Sequence, residues 1–224
     1  LQHLVVLNYK AQRGQTKQQI ALKCCIYGEK FMRLSKTAMA TRDAFLTAFW
    51  TLYEKNPLDR ISIKEITDLA GHNRSTFYTY FDDIQSILEY IEDDVIECMK
   101  QHIFCAPLNN TNDAVIARLA KAYDEKGMYL AVLLGENGDP HFIERYKSLF
   151  KPALMLAKPF SSLLPTLTTD LLYEFSMSAI LNTFNYWYKH RDEMPTGEFI
   201  RLQRNILANG AYHVAEKLSR NYRV

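Results

Sequence analysis

Apolar residues recur at helical spacing along most of this chain, and polar breaks cut the pattern into segments. Phe45, Ala48, Phe49 and Leu52 fall at i, i+3, i+4 and i+7, one face of an amphipathic helix running from Thr41 and ended by Asn56-Pro57. Ser62-Ile63-Lys64-Glu65 follows, with a hydroxyl at the N-cap and a carboxylate three residues on, the pattern of a capping box. The short helix it opens is expected to bury Ile63, Ile66 and Ala70 and to stop at Gly71, which tolerates left-handed backbone. Asn73 is placed to cap the next helix. Asp83 to Phe104 shows the longest clean period, through Ile84, Ile87, Leu88, Ile91, Val95, Met99 and Ile103, before Pro107 and the polar run Asn109-Asn110-Thr111-Asn112. Further helical patterns lie near 113–125, 128–134, 140–157, 167–190 and 196–219, punctuated by Gly127, residues 135–138, Pro159, Pro165 and Pro195. No stretch alternates long enough to predict a half-buried strand. The expected fold is all-α.

Two short helices joined by a glycine turn, following a longer one, predict a helix-turn-helix in its three-helix form. In such a unit the second helix of the pair enters the major groove. Here that helix carries NRSTFYTYF, residues 73–81, with four aromatic rings in nine positions. Phe77 and Phe81, four apart, are expected to pack inward on Ile63, Ile66 and the first helix. Arg74, Ser75, Thr76 and Thr79 fall on the outer side, where hydroxyls and a guanidinium meet bases or phosphates. Tyr78 and Tyr80 offer a ring to the domain and a hydroxyl to the phosphate backbone. The pattern divides the chain into a leader or arm (1–31), a helix-turn-helix DNA-binding domain (32–82), a connecting helix (83–107) and a helical ligand-binding and dimerisation domain (108–224).

ISIKEITDLAGHNRSTFYTYFDD, residues 61–83, resembles the DNA-binding signature of the TetR/AcrR family of bacterial transcription regulators, with its capped helix, Ala-Gly turn, Thr-aromatic-Tyr run and terminal Phe. The likeness extends over about fifty residues from Thr37. It implies binding to double-stranded DNA, with the positions of Arg74, Ser75, Thr76 and Thr79 near bases and those of Thr41, Ser62, Lys64, Tyr78 and Tyr80 near phosphates. LLGENGDPHFIERYKSLF, residues 133–150, is similar to a loop and helix in one branch of the family's ligand-binding domains. The last two long helices stand where the family forms its dimer. One departure weakens the match. Many members carry a phosphate-contacting lysine at the start of the fourth helix, whereas this chain has Asp82-Asp83, and residues 82–97 hold seven acids and no base. A solvated acidic face turned away from DNA is the expected reading. The alternative is weak DNA binding, since each lost phosphate contact removes a counterion-release contribution. Relatives similar to the DhaS coactivator would then be the guide, acting through a protein partner.

Composition adds limits. The chain has 224 residues, 48% apolar and 23% charged, with few glycines and prolines for its length, as befits long helices. No apolar run approaches the ~20 residues of a membrane span. Cys24, Cys25, Cys98 and Cys105 show no metal-ligand spacing and no disulfide framework, so reduced thiols in a cytoplasmic protein are expected, with Cys98 and Cys105 as small hydrophobic residues. The net charge of +2 is divided: residues 1–31 contribute +4 and the remainder −2. Gly28-Glu29-Lys30-Phe31 can be encoded with a ribosome-binding sequence just ahead of Met32, so a native start at Met32 is expected; a basic arm that orders on DNA is the alternative. No H-E-x-x-H, G-x-S-x-G, P-loop or Rossmann fingerprint occurs, and the six histidines are scattered. Neither catalysis, a cofactor nor a metal is expected.

Two further sets of residues follow from the second half. Phe175, Ala179 and Phe184 on one long helix, with Leu202, Ile206, Gly210, Ala211, Val214 and Leu218 on the last, exceed what one small bundle buries and predict a homodimer. Gly210 is expected to let helices approach closely. A two-fold pair of recognition helices would require a palindromic operator. Tyr129, Phe142, Tyr146, Phe150, Tyr173, Asn182, Asn185 and Tyr186 mix ring faces with hydroxyls and amides on helices expected to face inward, the composition of a small-molecule pocket. With no cationic cluster among them, a neutral or weakly polar effector is expected. By binding one helix packing better than another, it would tilt the helix over 83–104 and release DNA, the behaviour of a ligand-responsive repressor. A protein partner is the other possible input.

Overall fold

A computed structural model of the protein describes residues 35–104, 112–136, 138–155 and 164–211, with 213, 214, 217 and 218. The leader 1–31 with Cys24 and Cys25, the connection through Cys105 and Pro107, and the side chain of Ile103 lie outside the described residues. Among the described residues every regular element is helical, and the fold is all-α with an N-terminal helix-turn-helix. The chain divides into two compact units between Leu88 and Glu89.

In the first unit, α1 (Lys36–Tyr53) starts ahead of the expected Thr41 because the Ser35 hydroxyl accepts from the Ala38 N–H at 3.2 Å. It buries Phe45, Ala48, Phe49, Trp50 and Tyr53. After Asn56 caps Leu52 O through its amide at 3.0 Å, a 3-10 turn (Leu58–Arg60) leads to α2 (Ile63–Ala70). The capping box forms as expected: Ser62 Oγ accepts from the Glu65 N–H at 3.3 Å, and the Glu65 carboxylate accepts from the Ser62 N–H at 2.9 Å. The Ser62 hydroxyl, which donates to Glu65 Oε2 at 2.7 Å, and then the Ser62 N–H hold the Glu65 carboxyl below its ordinary range. Gly71 ends α2 at φ 70°, a left-handed conformation that costs a side-chain-bearing residue more than glycine.

Next comes α3 (Arg74–Tyr80). Asn73 stands at its N-cap, but its side chain makes no capping bond; the first turn is closed by the Asn73 carbonyl, which accepts from Thr76 N and Phe77 N at 3.0 and 3.2 Å. Helix α1 packs on α2 and α2 on α3. Ile66 and Phe77 are fully buried, and the Phe77 ring meets Phe45 edge-on at 5.4 Å and Phe81 at 5.7 Å. Ile63 and Ala70 are only half-buried, and Thr67 fills the interior position instead, its hydroxyl donating to Lys64 O at 2.9 Å.

Helix α4 (Ile84–Phe104) begins in the first unit and supplies the second with Ile91, Val95 and Met99. The second unit adds α5 (Asn112–Leu133), α6 (Pro140–Met155), α7 (Thr166–Lys189) and α8 (Thr196–Asn209), with α5 against both α7 and α8, α6 against α7, and α7 against α8. Its core includes Phe184, whose ring lies 4.8 Å from Tyr123, and Trp187, stacked on Phe199 at 4.5 Å. Two expectations are corrected here. Gly127 does not break the 113–134 region; α5 runs through it, and a Cβ there would stand 2.8 Å from the Tyr188 ring. The helix expected over 196–219 is interrupted at Gly210, where φ is −102° and ψ −97° and a Cβ would meet Ile206 O at 2.8 Å. That glycine serves the local chain path, since among the described residues nothing from another helix lies within 4 Å of a Cβ placed there.

Candidate nucleic-acid interface

The α2–α3 pair displays most of the residues expected to meet DNA. On α3, Arg74, Ser75 and Thr79 are exposed, Thr76 and Tyr80 are half-buried, and Tyr78 is 47% exposed. The rings that would compete for the surface, Phe77 and Phe81, point into the core, as their four-residue spacing predicts. Arg74 and Tyr78 are not independent. The Tyr78 hydroxyl accepts from Arg74 Nη2 at 3.0 Å, and the guanidinium carbon lies 5.6 Å from the ring centroid. One helical turn thus presents a cation oriented by a phenol. Tyr80 keeps one ring side on Phe45, at 6.1 Å. Before α2, Ser62 is exposed, but its hydroxyl already donates to Glu65 Oε2 at 2.7 Å. Lys64 is exposed and Thr41 on α1 is half-buried.

The charge around these groups is not strongly basic: residues 35–88 contain six basic and seven acidic side chains. Asp83 has a structural use, since its carboxylate accepts from the Ser86 N–H at 2.7 Å and caps the start of α4, where an anion also suits the helix dipole. The expectation that all the acids of 82–97 form a solvated face is corrected at Glu92, which is 1% exposed on the apolar side of α4. Its Oε2 accepts from Arg145 Nη1 at 3.2 Å, Arg145 also pairs with Asp93, and Lys126 pairs with Asp94. Burial pushes the Glu92 carboxyl up to about 7, with Asp139 adding to the shift and Arg145 opposing it.

The eight residues expected to line an effector pocket separate into groups. Phe142, Tyr146 and Tyr173 are buried and Phe150 is half-buried, with Tyr146 ringed by Phe142 at 5.9 Å and Phe150 at 4.9 Å. The Tyr146 hydroxyl faces Met99 Sδ at 3.8 Å and bonds with Tyr123, and Tyr173 donates to Lys147 O at 2.6 Å. Burial raises all three phenols, Tyr123 to about 12. Asn185 is half-buried, its Nδ2 donating to Leu134 O at 2.6 Å while its buried Oδ1 has no hydrogen-bond partner among the described residues. Tyr129 is half-buried beside Lys126. Asn182 and Tyr186 do not face inward: Asn182 is exposed and donates to Ser178 O, and Tyr186 is 71% exposed with its ring on His190. Both lie on the side of α7 opposite the positions that meet α5 and α8.

The dimer candidates separate too. Phe175 is 66% exposed, Ile206 60%, and Leu202, Val214 and Gly210 are also exposed, while Ala179 and Leu218 are half-buried. Phe184 is corrected: at 2% exposure, among Tyr123, Trp187 and Tyr188, it belongs to the unit's own core and offers nothing to a partner. Sequence reasoning missed Leu167 and Leu171, exposed two turns and one turn before Phe175 on the same stripe of α7. Their four-residue spacing was the available signal.

It also missed a cluster of metal-ligating atoms. Cys98 and His102 stand i, i+4 on α4, and Glu125 of α5 meets both, with Oε2 at 3.6 Å from Cys98 Sγ and 3.4 Å from His102 Nε2. Inspecting cysteine–cysteine and histidine–histidine spacings separately hides a Cys-x-x-x-His pair. Burial and the bond to Glu125 push the Cys98 thiol up to about 11.

No protein-family profile and no curated protein sequence matches the chain. Solved structures do. A TetR transcriptional regulator from Streptococcus agalactiae 2603V is 22% identical with a TM-score of 0.57, covering 77% of this chain and 96% of its own. A tetR-family transcriptional regulator from Streptomyces coelicolor is 21% identical with a TM-score of 0.50, covering 81% of this chain and 82% of its own. The dihydroxyacetone kinase operon activator DhaS aligns at 18% identity and a TM-score of 0.47, over 75% of this chain and 94% of its own. The chain has the TetR-type fold. Among the described residues no helix is long and apolar enough to cross a membrane.

Proposed function

We propose that the protein is a cytoplasmic DNA-binding transcriptional regulator, a ligand-responsive repressor that grips a palindromic operator as a homodimer. The observation that carries this reading is the division of α3, with Phe77 and Phe81 in the core and Arg74, Ser75, Tyr78 and Thr79 displayed together. In this reading Arg74 reaches a base edge, Tyr78 steadies it, and Thr41, Ser62, Lys64 and Tyr80 sit along phosphates. The aromatic group around Tyr146, with the Asn185 amide oxygen that has no partner among the described residues, supports a mostly apolar effector site in the second unit.

A salt-titrated gel shift on the gene's own upstream region tests this with the Met32-start protein. Arg74→Ala is expected to weaken binding and relax sequence preference, and Tyr78→Phe to weaken it by about 1 kcal/mol, the usual net worth of one hydrogen bond. The near-neutral balance of residues 35–88 favours one second reading, a coactivator that works through a protein partner with weak DNA binding of its own. Absence of any specific complex, with recovery of another regulator in a pull-down, would select it.

A further inference from the structure

We propose that Cys98, His102 and Glu125 form a binding site for one zinc-class divalent cation in the second unit. This does not depend on the DNA-binding reading. The three side chains come from adjoining stretches of α4 and α5, and their sulfur, nitrogen and oxygen atoms all lie within 4.8 Å of one another. The detailed spacing is informative. With Zn–S of about 2.3 Å and Zn–N and Zn–O of about 2.0–2.2 Å, a tetrahedral ion sets its sulfur and oxygen ligands about 3.6 Å apart and its nitrogen and oxygen ligands about 3.4 Å apart. The observed Cys98–Glu125 and His102–Glu125 separations are 3.6 and 3.4 Å. Two edges of the coordination tetrahedron are already in place, and the third, between the Cys98 sulfur and a His102 ring nitrogen, lies within 4.8 Å.

The chemistry of the donors selects the ion. A thiolate with an imidazole and one carboxylate suits zinc and its neighbours, whereas magnesium and calcium want oxygen ligands alone. The two Glu125 oxygens are divided in use: Oε1 faces Lys121 Nζ at 3.8 Å, leaving Oε2 to Cys98 and His102. Lys126, the other nearby cation, is held by Asp94. Cys98 is nearly buried, His102 is half-buried and Glu125 is exposed, so the group opens outward on the Glu125 side and an ion can enter with a water as fourth ligand. On binding, the S–H bond breaks, the sulfur pair forms the Zn–S bond, and the proton leaves to solvent. The bound ion would tie α4 to α5.

The test uses the full chain with Cys24, Cys25 and Cys105 changed to Ser, so that one thiol remains, stripped of metal and titrated with Co2+ as a spectroscopic substitute. A thiolate-to-cobalt charge-transfer band and intense tetrahedral d–d bands are expected to saturate at one ion per chain and to be bleached by Zn2+. Cys98→Ser should abolish the charge-transfer band, and His102→Gln and Glu125→Gln should each weaken binding about tenfold or more. Zn2+ should raise the melting temperature of the single-thiol protein and leave that of its His102→Gln variant unmoved, a readout that holds if Cys98→Ser folds poorly. No charge-transfer band at stoichiometric cobalt, or a zinc-induced melting shift that survives His102→Gln, would overturn the proposal.

Discussion

Glu92 shows what one residue does when an acid occupies a core position. Its buried Oε1 has no hydrogen-bond partner among the described residues, and Arg145, which serves Oε2, is shared with Asp93. Desolvation therefore outweighs the guanidinium and raises the carboxyl from 4.5 to about 7 in the folded protein. The folded state holds this proton more tightly than the unfolded chain. The resulting stabilisation is full below about pH 4.5 and is lost as pH rises through about 7. Glu92→Gln keeps the shape and removes the titration. Between pH 5 and 8 the parent should lose about 2 kcal/mol relative to this variant, read by urea unfolding at both pH values. Parallel stability curves would contradict it. In the sequence Glu92 is one of a run of acids, and only the packing of α4 distinguishes it from its exposed neighbours Asp93 and Asp94.

At the scale of elements, the local signals were legible and the long-range ones were not. The Ser62–Glu65 capping box and the left-handed Gly71 are written in contiguous residues, because their hydrogen bonds and dihedral close within one turn. Gly127 reads locally as a helix interruption, yet α5 continues through it because the ring of Tyr188 on α7 takes up the space a side chain would need. That ring is in turn packed by Phe184 at 5.9 Å and by the Arg191 guanidinium at 4.5 Å, so it has limited room to retreat. Gly127→Leu should destabilise the protein by about 1–3 kcal/mol despite leucine's better helix propensity. Pairing it with Tyr188→Ala in a double-mutant cycle should recover part of the loss, whereas strict additivity would show that the contact is not the cause.

On the scale of the whole molecule, the exposed apolar stripe of Leu167, Leu171 and Phe175 on α7, with Leu202 and Ile206 on α8, is the surface the proposed homodimer would cover. Charges placed there should act on association and leave the fold intact. Phe175→Asp with Ile206→Asp is expected to shift a dimer to monomer in sedimentation at micromolar concentration, with the helical circular dichroism unchanged. A parent protein that sediments as monomer alone would defeat the dimer, and a variant that remains dimeric would move the interface elsewhere. Tyr186 lies along the same helix, exposed with its ring on His190, and is better placed to meet a partner than a ligand within the chain.

Helical periodicity, the capping box, the glycine turn and the Thr-aromatic-Tyr run were sufficient by themselves for an all-α chain with an N-terminal helix-turn-helix, because each depends on residues within two turns of one another. They also separated the outward face of α3 from its inward one, since a four-residue spacing determines which rings share a side. Tertiary structure decided the rest. It put Phe184 into the core and left Phe175 outside, although both are phenylalanines on α7, because only one faces Tyr123 and Phe199. It turned Asn182 and Tyr186 outward, buried Glu92, and brought Glu125 from α5 to Cys98 and His102 on α4. For Phe184, Glu92 and Glu125 the deciding contact joins residues on different helices, and spacing along one helix carries no information about which neighbour its faces will meet.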